Sequence, residues 1–303
     1  MKTFAVVVTY NRKSALAENI RMLLKQTFRF DKIIIVDNHS ADGTKEFLHE
    51  NGWDDGDFLY VELPTNIGGA GGFHVGTKTA YEQGADWILL MDDDGRPADE
   101  NAVQILMNRA TELYRDNIGD RKLFVNCLVQ EDDWLSFKLG KAYRVEEAEK
   151  AQKDGLVVNE ANPFNGTAIS RELVDAIGLP NQDFFIKGDE VDYKRRAFKT
   201  GAFVCTVFDA RYFHPRLKVV EKTVLGVKVP FFVEAPWKEY YTARNFTFMY
   251  KKEKRYKAIL FEIIFVKLLA ILRLKCQKIK SVKMLFKGAL DGWTGRMGAT
   301  VLP

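Results

Sequence analysis

The chain has 303 residues, 47% of them apolar, which is enough to bury one large core or two ordinary ones and argues against disorder. Three widely spaced cysteines, with no C-x-x-C pair of the kind that holds zinc, fit a reducing cytoplasm. The net charge of +4 is uneven: residues 251–287 contain twelve Lys or Arg and two acids, a balance of +10, so the remainder sums to −6. Such a basic segment can face nucleic acid or anionic lipid, and composition does not choose between them.

Short apolar runs rich in β-branched residues alternate with helical patterns along the first half of the chain. The N-terminal apolar run is only about six residues long, too short for the core of a signal peptide, and is predicted to be a buried first strand. The alternation predicts β-α units around a mostly parallel sheet, hence an α/β domain. The predicted strands are 4–8, 32–36, 58–62, 87–91 and 123–128, and the predicted helices are 14–27, 43–50, 70–81 and 100–114.

Three of the predicted strands end directly in polar residues, in the runs VVVTYN, IIIVDNHSADGT and ILLMDDDG. In open parallel sheets, ligands bind just outside the carboxyl ends of the strands. We therefore expect the following polar side chains to converge on one crevice: Thr9, Asp37, Asn38 and Asp92 to Asp94.

The C-terminal part has a different pattern: the sheet pattern fades after about Pro215, and from Trp237 onward the pattern is helical. Residues 258–274 are the most hydrophobic stretch, but Glu262 and Lys267 interrupt it, whereas a membrane-spanning helix needs about 20 largely uncharged residues. Lysines recurring among Leu, Ile and Phe predict a basic amphipathic helix that lies on an anionic membrane surface. The alternative is a pair of helices packed in the core, with their charges on a solvated face.

The triplet Asp92-Asp93-Asp94 follows a predicted strand of apolar residues. Adjacent carboxylates repel one another unless a cation neutralises them, and alternate side chains at a strand end, those of Asp92 and Asp94, can point the same way. A hard divalent cation that bridges to a diphosphate is the natural partner, and a solvated turn closed by Gly95 is the alternative. His214 ends a later apolar run and would be an imidazole ligand if that strand joins the same sheet; otherwise it is a surface or core histidine.

A glycine-dense segment, NIGGAGGF at 66–73, enters the third predicted helix. Glycine lets the backbone approach a ligand, and a helix N-terminus attracts negative charge, although a tight turn with close packing is the alternative. The segment matches neither G-x-G-x-x-G nor G-x-x-x-x-G-K-[ST], which disfavours a dinucleotide oxidoreductase and a P-loop NTPase.

A further charged segment, FFIKGDEVDYKRR at 184–196, places Asp189 and Glu190 at the start of a predicted helix. The helix dipole favours ionised carboxylates there, and one of the two acids could serve as a general base. The alternative is a charge cluster at a helix N-terminus without chemistry.

Taken in this order, the motifs VVVTYNR, VDNHSADGT, MDDDG and FFIKGDEVDYKRR resemble the family 2 glycosyltransferases of the GT-A fold. The loop NIGGAGGF, with FIKGDEVDY followed by FHP, is similar to the bacterial galactofuranosyltransferases. The resemblance covers about residues 3–216, and YYTARN at 240–245 and DGWTGRMG at 291–298 look like C-terminal features of bacterial galactofuranosyl and rhamnosyl transferases. It implies a nucleotide-sugar-binding and catalytic GT-A domain at 1–216, with a mostly parallel sheet flanked by helices, and a helical, basic, membrane-associating region at 217–303.

The resemblance also implies roles for single residues. Asp92, Asp94 and His214 would hold Mn²⁺ or Mg²⁺. Glu190 stands at the position of the family's catalytic base, where aspartate is usual, so the assignment stays open between Glu190 and Asp189. The residues expected to bind the UDP-sugar donor are Thr9, Asp37, Asn38, Asn66, Gly69, Asp92 and Asp93.

The function so implied is an inverting, metal-dependent transfer of a sugar, with galactofuranose from UDP-galactofuranose expected, to a lipid-linked glycan in cell-surface polysaccharide biosynthesis. The enzyme would be a peripheral protein on the cytoplasmic face of an anionic membrane; nucleic acid is not an expected partner, and formation of a homo-oligomer is left open.

Three rival functions are weighed against it. A rhamnosyltransferase using dTDP-rhamnose would share the metal and base residues. A sugar-nucleotide nucleotidyltransferase is disfavoured because TYNRKSAL, after the first strand, lacks the glycines of a triphosphate loop. A membrane-bound scaffold with an inactive transferase fold is disfavoured by the complete set of acids, Asp92, Asp94 and Glu190.

Overall fold

The protein, seen in a computed structural model that describes residues 1–216, 219–224, 227–232, 235–274 and 277–301, divides into two compact units. Cys276 lies outside the described residues. The first unit comprises Met1–Pro180 and Tyr193–Arg216, and the second comprises Asn181–Asp192 and Leu217–Pro303. The segment with Asp189 and Glu190 therefore belongs to the second unit, although the sequence grouped it with residues 1–216.

The first unit is built on one large sheet. Its strands are β1 (Thr3–Thr9), β2 (Lys32–Asp37), β3 (Phe58–Glu62), β4 (Trp87–Asp92), β5 (Arg96–Pro97), β6 (Leu123–Glu131), β7 (Trp134–Leu139), β8 (Ala142–Arg144), β9 (Leu156–Val158), β10 (Asn165–Ser170) and β11 (Phe203–Phe213). Its helices are α1 (Lys13–Leu24), α2 (Thr44–Glu50), α3 (Gly68–Glu82), α4 (Ala102–Arg115), α5 (Val145–Ala151), α6 (Arg171–Ile177) and α7 (Asp189–Lys199), the last of which belongs to the second unit as far as Asp192. Every strand and helix predicted from the sequence is present, with ends displaced by three residues or fewer.

The strand order is β3-β2-β1-β4-β10-β6-β11-β5, with β7 and β8 continuing from β6 and β9 paired to β11. The four strands β3, β2, β1 and β4 are parallel neighbours, and β6 is parallel to β11. Between these groups β10 runs antiparallel to both β4 and β6. The predicted α/β class is confirmed, with a mostly parallel core inside a mixed sheet.

The central strands are near-continuous β-branched runs because both of their faces are covered. Alternate residues of β1 show this: Val7 lies in the core shared with α1 and α4, and Val6 lies in the core shared with α3 and α6. The register sets Thr9 beside Asp37 and Val8 beside Asp92. The polar ends of three strands therefore meet at one edge of the sheet.

The second unit contains an antiparallel hairpin of β12 (Val219–Val224) and β13 (Val227–Phe232), followed by helices. The expectation that strands end at about Pro215 was wrong here. Pro230 hides the strand pattern of β13, but proline is tolerated in a two-stranded ribbon because every strand of it is an edge.

The helices of this unit are α8 (Pro236–Lys252), α9 (Tyr256–Ala258), a π-helical stretch (Ile259–Val266), α10 (Lys267–Leu274) and α11 (Lys278–Thr294). Among the helices that the structure describes, none combines the length and the apolar character needed to cross a bilayer. The hydrophobic stretch at 258–274 is helical, as its pattern predicted.

Candidate active site

The turn after β4 carries the three adjacent acids and is held in place by α1. Asn19, fully buried on that helix, donates through Nδ2 to the carbonyl oxygens of Asp92 at 3.2 Å and of Gly95 at 2.5 Å. Glycine is required at 95 because a Cβ atom there would lie 2.4 Å from the ring of buried Tyr212. The backbone of the turn is thus fixed from the interior, and its three carboxylates take different surroundings.

Asp93 points into the protein. It is buried, its Oδ2 accepts a hydrogen bond from the Thr9 hydroxyl at 2.8 Å, and its Oδ1 accepts one from the Arg12 guanidinium at 3.2 Å. Burial raises the pKa of Asp93 to about 6, although Arg12 and the Thr9 hydroxyl act in the opposite direction. Asp93 therefore ties the end of β1 to the end of β4.

Asp94 is more exposed and lies between two cationic groups. Its Oδ2 accepts from Arg12 at 2.5 Å, and its Oδ1 lies 3.4 Å from Nε2 of His214. His214 donates its Nδ1 hydrogen to the Pro215 carbonyl at 2.7 Å, and this contact leaves Nε2 facing Asp94. Burial would raise the pKa of Asp94, but His214 and Arg12 outweigh it and lower that pKa; Asp94 in turn raises the pKa of His214 against the effect of burial.

Asp92 is the least compensated of the three acids. Burial, followed by repulsion from Asp94 and Asp93, raises the pKa of Asp92 to about 8, against the opposing effects of His214 and Arg12. With all three carboxylates ionised beside one guanidinium and one imidazole, negative charge would be in surplus; the raised pKa of Asp92 reflects this cost, which a divalent cation would relieve.

The side chains at this turn match a hard divalent cation in their chemistry. Carboxylate oxygens suit Mg²⁺ and Mn²⁺, and a metal-ligating histidine commonly donates its other N–H to a backbone carbonyl, as His214 does. Over the described ranges, no group of three or more His, Cys, Asp or Glu side chains is gathered closely enough to hold a metal ion. In this structure Asp94 therefore contacts His214 and Arg12, and the three expected metal ligands are not assembled around one point.

Asp37 lies at the end of β2, beside Thr9 in the sheet. It is buried, its Oδ1 accepts from the N–H of Ser40 at 2.9 Å, and its Oδ2 accepts from the Tyr60 hydroxyl at 2.8 Å. These bonds fix the carboxylate at the sheet edge where the sequence predicted a crevice.

The glycine-dense segment is organised by two asparagines. Asn66 accepts from the N–H of Gly68 at 2.8 Å, and buried Asn38 accepts from the N–H of Ile67 at 3.4 Å, so both amides bind the start of α3. A Cβ atom at Gly72 would lie 2.4 Å from Val8 and 2.9 Å from Asn38, so glycine there allows close packing of the helix on the sheet. By contrast, a Cβ atom at Gly69 would meet nothing within 4 Å, which leaves space above that backbone.

In the second unit, Asp189 and Glu190 begin α7. Asp189 is buried, whereas Glu190 is half-buried and its Oε2 accepts from the N–H of Gly188 at 2.8 Å. The loop before them has an unusual backbone, with φ of 63° at Phe185 and 68° at Lys187. Of the two acids, Glu190 is the more accessible.

Four residues of these two sites were missed by the sequence reasoning: Arg12, Asn19, Arg244 and Asn245. Asn19 is a polar residue on the buried, apolar stripe of α1, and that position is a usable signal because a buried amide needs partners. Arg12 follows the first strand motif directly, and a lone arginine there gives no sign of its partners. Arg244 and Asn245 bind the loop before Glu190, a contact between segments far apart in the sequence.

Comparison with known proteins identifies the family of this chain. The family model described as glycosyl transferase family 2 matches residues 4–173. Galactofuranosyltransferase GlfT1 of Mycolicibacterium smegmatis is 32% identical over 249 residues, covering 80% of this chain and 80% of the relative. The dTDP-rhamnosyl transferase RfbF of Shigella flexneri is 22% identical over 97% of this chain and 96% of its own.

Among solved structures, S. aureus TarS 1-349 in complex with UDP-GlcNAc superposes with a TM-score of 0.58 at 15% identity, covering 95% of this chain and 82% of that one. At this identity the likeness speaks for the fold alone. Because the family model covers more than half of the chain and a relative above 30% identity covers 80% of it, the protein belongs to glycosyl transferase family 2 and is a glycosyltransferase with the GT-A fold.

Proposed function

We propose that this glycosyltransferase transfers galactofuranose from UDP-galactofuranose to a lipid-linked glycan in cell-surface polysaccharide biosynthesis, in a metal-dependent reaction that inverts the anomeric carbon. The observation that carries the donor assignment is the 32% identity to galactofuranosyltransferase GlfT1 over 80% of both chains. The NIGGAGGF segment supports it, since this segment resembles the bacterial galactofuranosyltransferases, and the open space above Gly69 leaves room for a ligand.

A second candidate is transfer of rhamnose from dTDP-rhamnose. The observation in its favour is the alignment with RfbF, which spans 97% of this chain, although at 22% identity. Both candidates use the same acids, so only the donor distinguishes them.

We expect UDP-galactofuranose to give the largest upward shift in the midpoint of thermal unfolding, measured with Mn²⁺ against UDP-glucose, UDP-galactose and dTDP-rhamnose. A ligand that binds only the native state stabilises it by mass action, by about 2.7 kcal/mol at a concentration 100 times its Kd. A larger shift with dTDP-rhamnose would replace the first candidate with the second.

The donor would lie at the sheet edge formed by the ends of β1, β2 and β4. Asp37, Asn38 and Asn66 would contact the uridine, with Thr9 and Asp93 supporting them from below. The open space above Gly69, near the N-terminus of α3, would accept the diphosphate, because the first N–H groups of a helix favour negative charge.

Asp92, Asp94 and His214 would hold Mg²⁺ or Mn²⁺. When bound, the cation compensates the charge that develops on the diphosphate leaving group. Arg12 would release Asp94 and could then turn its guanidinium toward the same diphosphate. This exchange is feasible because Arg12 is half-exposed, and exposed ion pairs contribute only about 0–1 kcal/mol.

The Asp94→Asn variant should bind Mn²⁺ at least about 10-fold more weakly, because even indirect partners of metal ligands cost 10- to 100-fold in affinity when removed. Isothermal titration with Mn²⁺ measures the affinity, and Mn²⁺-dependent turnover should fall with it. The control is Asp133→Asn, which removes an exposed carboxylate of the same unit. Wild-type Mn²⁺ affinity in Asp94→Asn would refute the metal assignment.

Glu190 is the proposed general base, because its half-buried carboxylate can be reached by an acceptor hydroxyl whereas Asp189 is buried. In the transfer step the acceptor oxygen bonds to the anomeric carbon, the bond from that carbon to the diphosphate oxygen breaks, and the hydroxyl proton passes to Glu190. Attack from the face opposite the leaving group inverts the configuration.

For Glu190→Gln we expect turnover to fall at least about 100-fold while donor affinity stays near the wild-type value, as for the loss of a general base. The amide oxygen can still accept the Gly188 hydrogen bond, so the loop should keep its shape. Turnover at saturating donor and donor titration give the two quantities. If Glu190→Gln is fully active and Asp189→Asn is not, the base is Asp189.

Exposed apolar side chains on the second unit support the proposal that the protein associates with the cytoplasmic face of a membrane. In the π-helical stretch, Ile259 and Ile263 are buried, but Phe261 and Phe265 on the other side are 62% and 57% exposed. Their rings stack on each other with centroids 5.8 Å apart. This side of the helix therefore exposes aromatic rings, whereas the alternative interpretation of the sequence expected a solvated face of charges.

The helix α11 repeats the pattern. Phe286, Leu290 and Trp293 are exposed along one stripe, and Lys283 and Lys287 are exposed among them. Large apolar side chains beside lysines complement a surface of anionic lipid, where the rings enter the interface and the ammonium groups meet the headgroups.

Replacing both rings, as Phe261→Ser with Phe265→Ser, should reduce binding to phosphatidylglycerol vesicles at least about 10-fold in sedimentation, since burying one such side chain contributes roughly 1.5–3 kcal/mol. The matched control is Tyr143→Ser with Phe198→Ser, which removes two exposed rings of the first unit. Equal binding by the Phe261, Phe265 variant and the wild type would exclude this surface, and equal binding to neutral vesicles would exclude the electrostatic contribution.

A further inference from the structure

The loop that leads into the acid pair adopts a backbone that few residues favour. Phe185 has φ of 63° and ψ of −63°, Lys187 has φ of 68°, and Gly188 has φ of 89°. For residues with a side chain, such conformations cost on the order of 1–3 kcal/mol and persist only where the surroundings fix them. The contacts that fix this loop therefore bear on Glu190, which follows it.

Asn245, fully buried on α8, supplies these contacts. Its Nδ2 lies within hydrogen-bonding distance of three carbonyl oxygens of the loop, those of Phe184 at 3.0 Å, Ile186 at 3.0 Å and Lys187 at 2.6 Å. Its Oδ1 accepts from Nε of Arg244 at 2.8 Å, which sets the orientation of the amide. An amide placed in this way selects one conformation of the loop.

One peptide group connects Asn245 to Glu190. The carbonyl of Lys187 accepts from Asn245, and the N–H of the same peptide, that of Gly188, donates to Oε2 of Glu190 at 2.8 Å. Rotation of this peptide would break both bonds at once. Hydrogen bonds in such a chain polarise one another, so each strengthens the other.

Arg244 holds the side-chain amide of Asn245 in place. This fully buried guanidinium donates to the carbonyls of Asp183 at 3.1 Å and Phe184 at 2.8 Å, to the Gly298 carbonyl, and to the Thr300 hydroxyl at 3.3 Å. Burial lowers the pKa of Arg244. A buried cation is expensive unless its hydrogens are satisfied, so its carbonyl partners from two separate segments are held firmly.

We propose that Asn245 is a positioning residue for the reaction, acting through the Lys187–Gly188 peptide to aim the Glu190 carboxylate at the acceptor hydroxyl. This inference rests on the proposed role of Glu190 as the base and adds the residue that orients it. Arg244 holds Asn245 in the required orientation.

The test is a double-mutant cycle between Asn245→Leu and Glu190→Gln. Asn245→Leu keeps a similar volume but removes the donor, so kcat should fall on the order of 100-fold, the cost of a misplaced catalytic group, with the KM for the sugar donor changed less than about 2-fold. In the Glu190→Gln background the same substitution should cost less than about 3-fold, because the carboxylate it orients is already gone. Asn245→Asp, isosteric but unable to donate, should repeat the result and serves if the leucine variant does not fold.

The control is Thr247→Val on the same helix, which replaces another buried polar residue and should leave kcat unchanged. Unaltered kcat in a folded Asn245→Leu or Asn245→Asp variant, or equal effects with and without Glu190→Gln, would overturn the positioning role while leaving Glu190 as the base. Wild-type turnover of Glu190→Gln alone would instead overturn the base assignment.

Discussion

Repulsion among three consecutive carboxylates is the constraint on which the candidate site of the first unit depends. Asp92, Asp93 and Asp94 cannot all face the same way without a cation, and the fold separates them. Asp93 turns inward to Thr9, Asp94 turns outward to His214, and Arg12 lies between these two acids. In this arrangement the imidazole of His214 is already in contact with the carboxylate of Asp94.

Buried hydrogen bonds on the inner side hold the backbone of this turn, whereas the side chains on its outer side are partly exposed and less constrained. Asn19 binds two of its carbonyls in a fully buried setting, where an unpaired amide would cost about 1–3 kcal/mol. The ion pair of Arg12 on the outer side is half-exposed, so solvent screens it. The backbone is therefore fixed, while the exposed side chains on its outer side can exchange partners.

Much of the fold followed from local patterns, because strands covered on both faces need continuous β-branched runs. The direction of β10 did not, since the sequence NGTAIS carries no sign of whether its neighbours are parallel. The hairpin of β12 and β13 was hidden by Pro230. Family membership also sets aside the nucleotidyltransferase and the inactive scaffold that the sequence had left as rivals.

The sites were predictable to the extent that parallel strands end at a common edge. That rule placed Thr9, Asp37 and Asp92 together, whereas it left the contact of His214 with Asp94 open, and the resemblance to a known family then favoured that contact. Arg12 and Asn245 stand in the quoted motifs VVVTYNR and YYTARN, but neither they nor Asn19 was assigned a role, because their importance depends on partners distant in the sequence.

The attachment of residues 298–301 to α8 limits how this protein can be shortened. Tyr241 binds the backbone of Thr300 and Val301 through its hydroxyl, and Arg244 binds Gly298 and Thr300. Trimming these residues would remove anchors of the loop that precedes Glu190. A form with less exposed apolar surface is better sought by exchanging exposed rings than by truncation, and purification tags are better attached at the N-terminus.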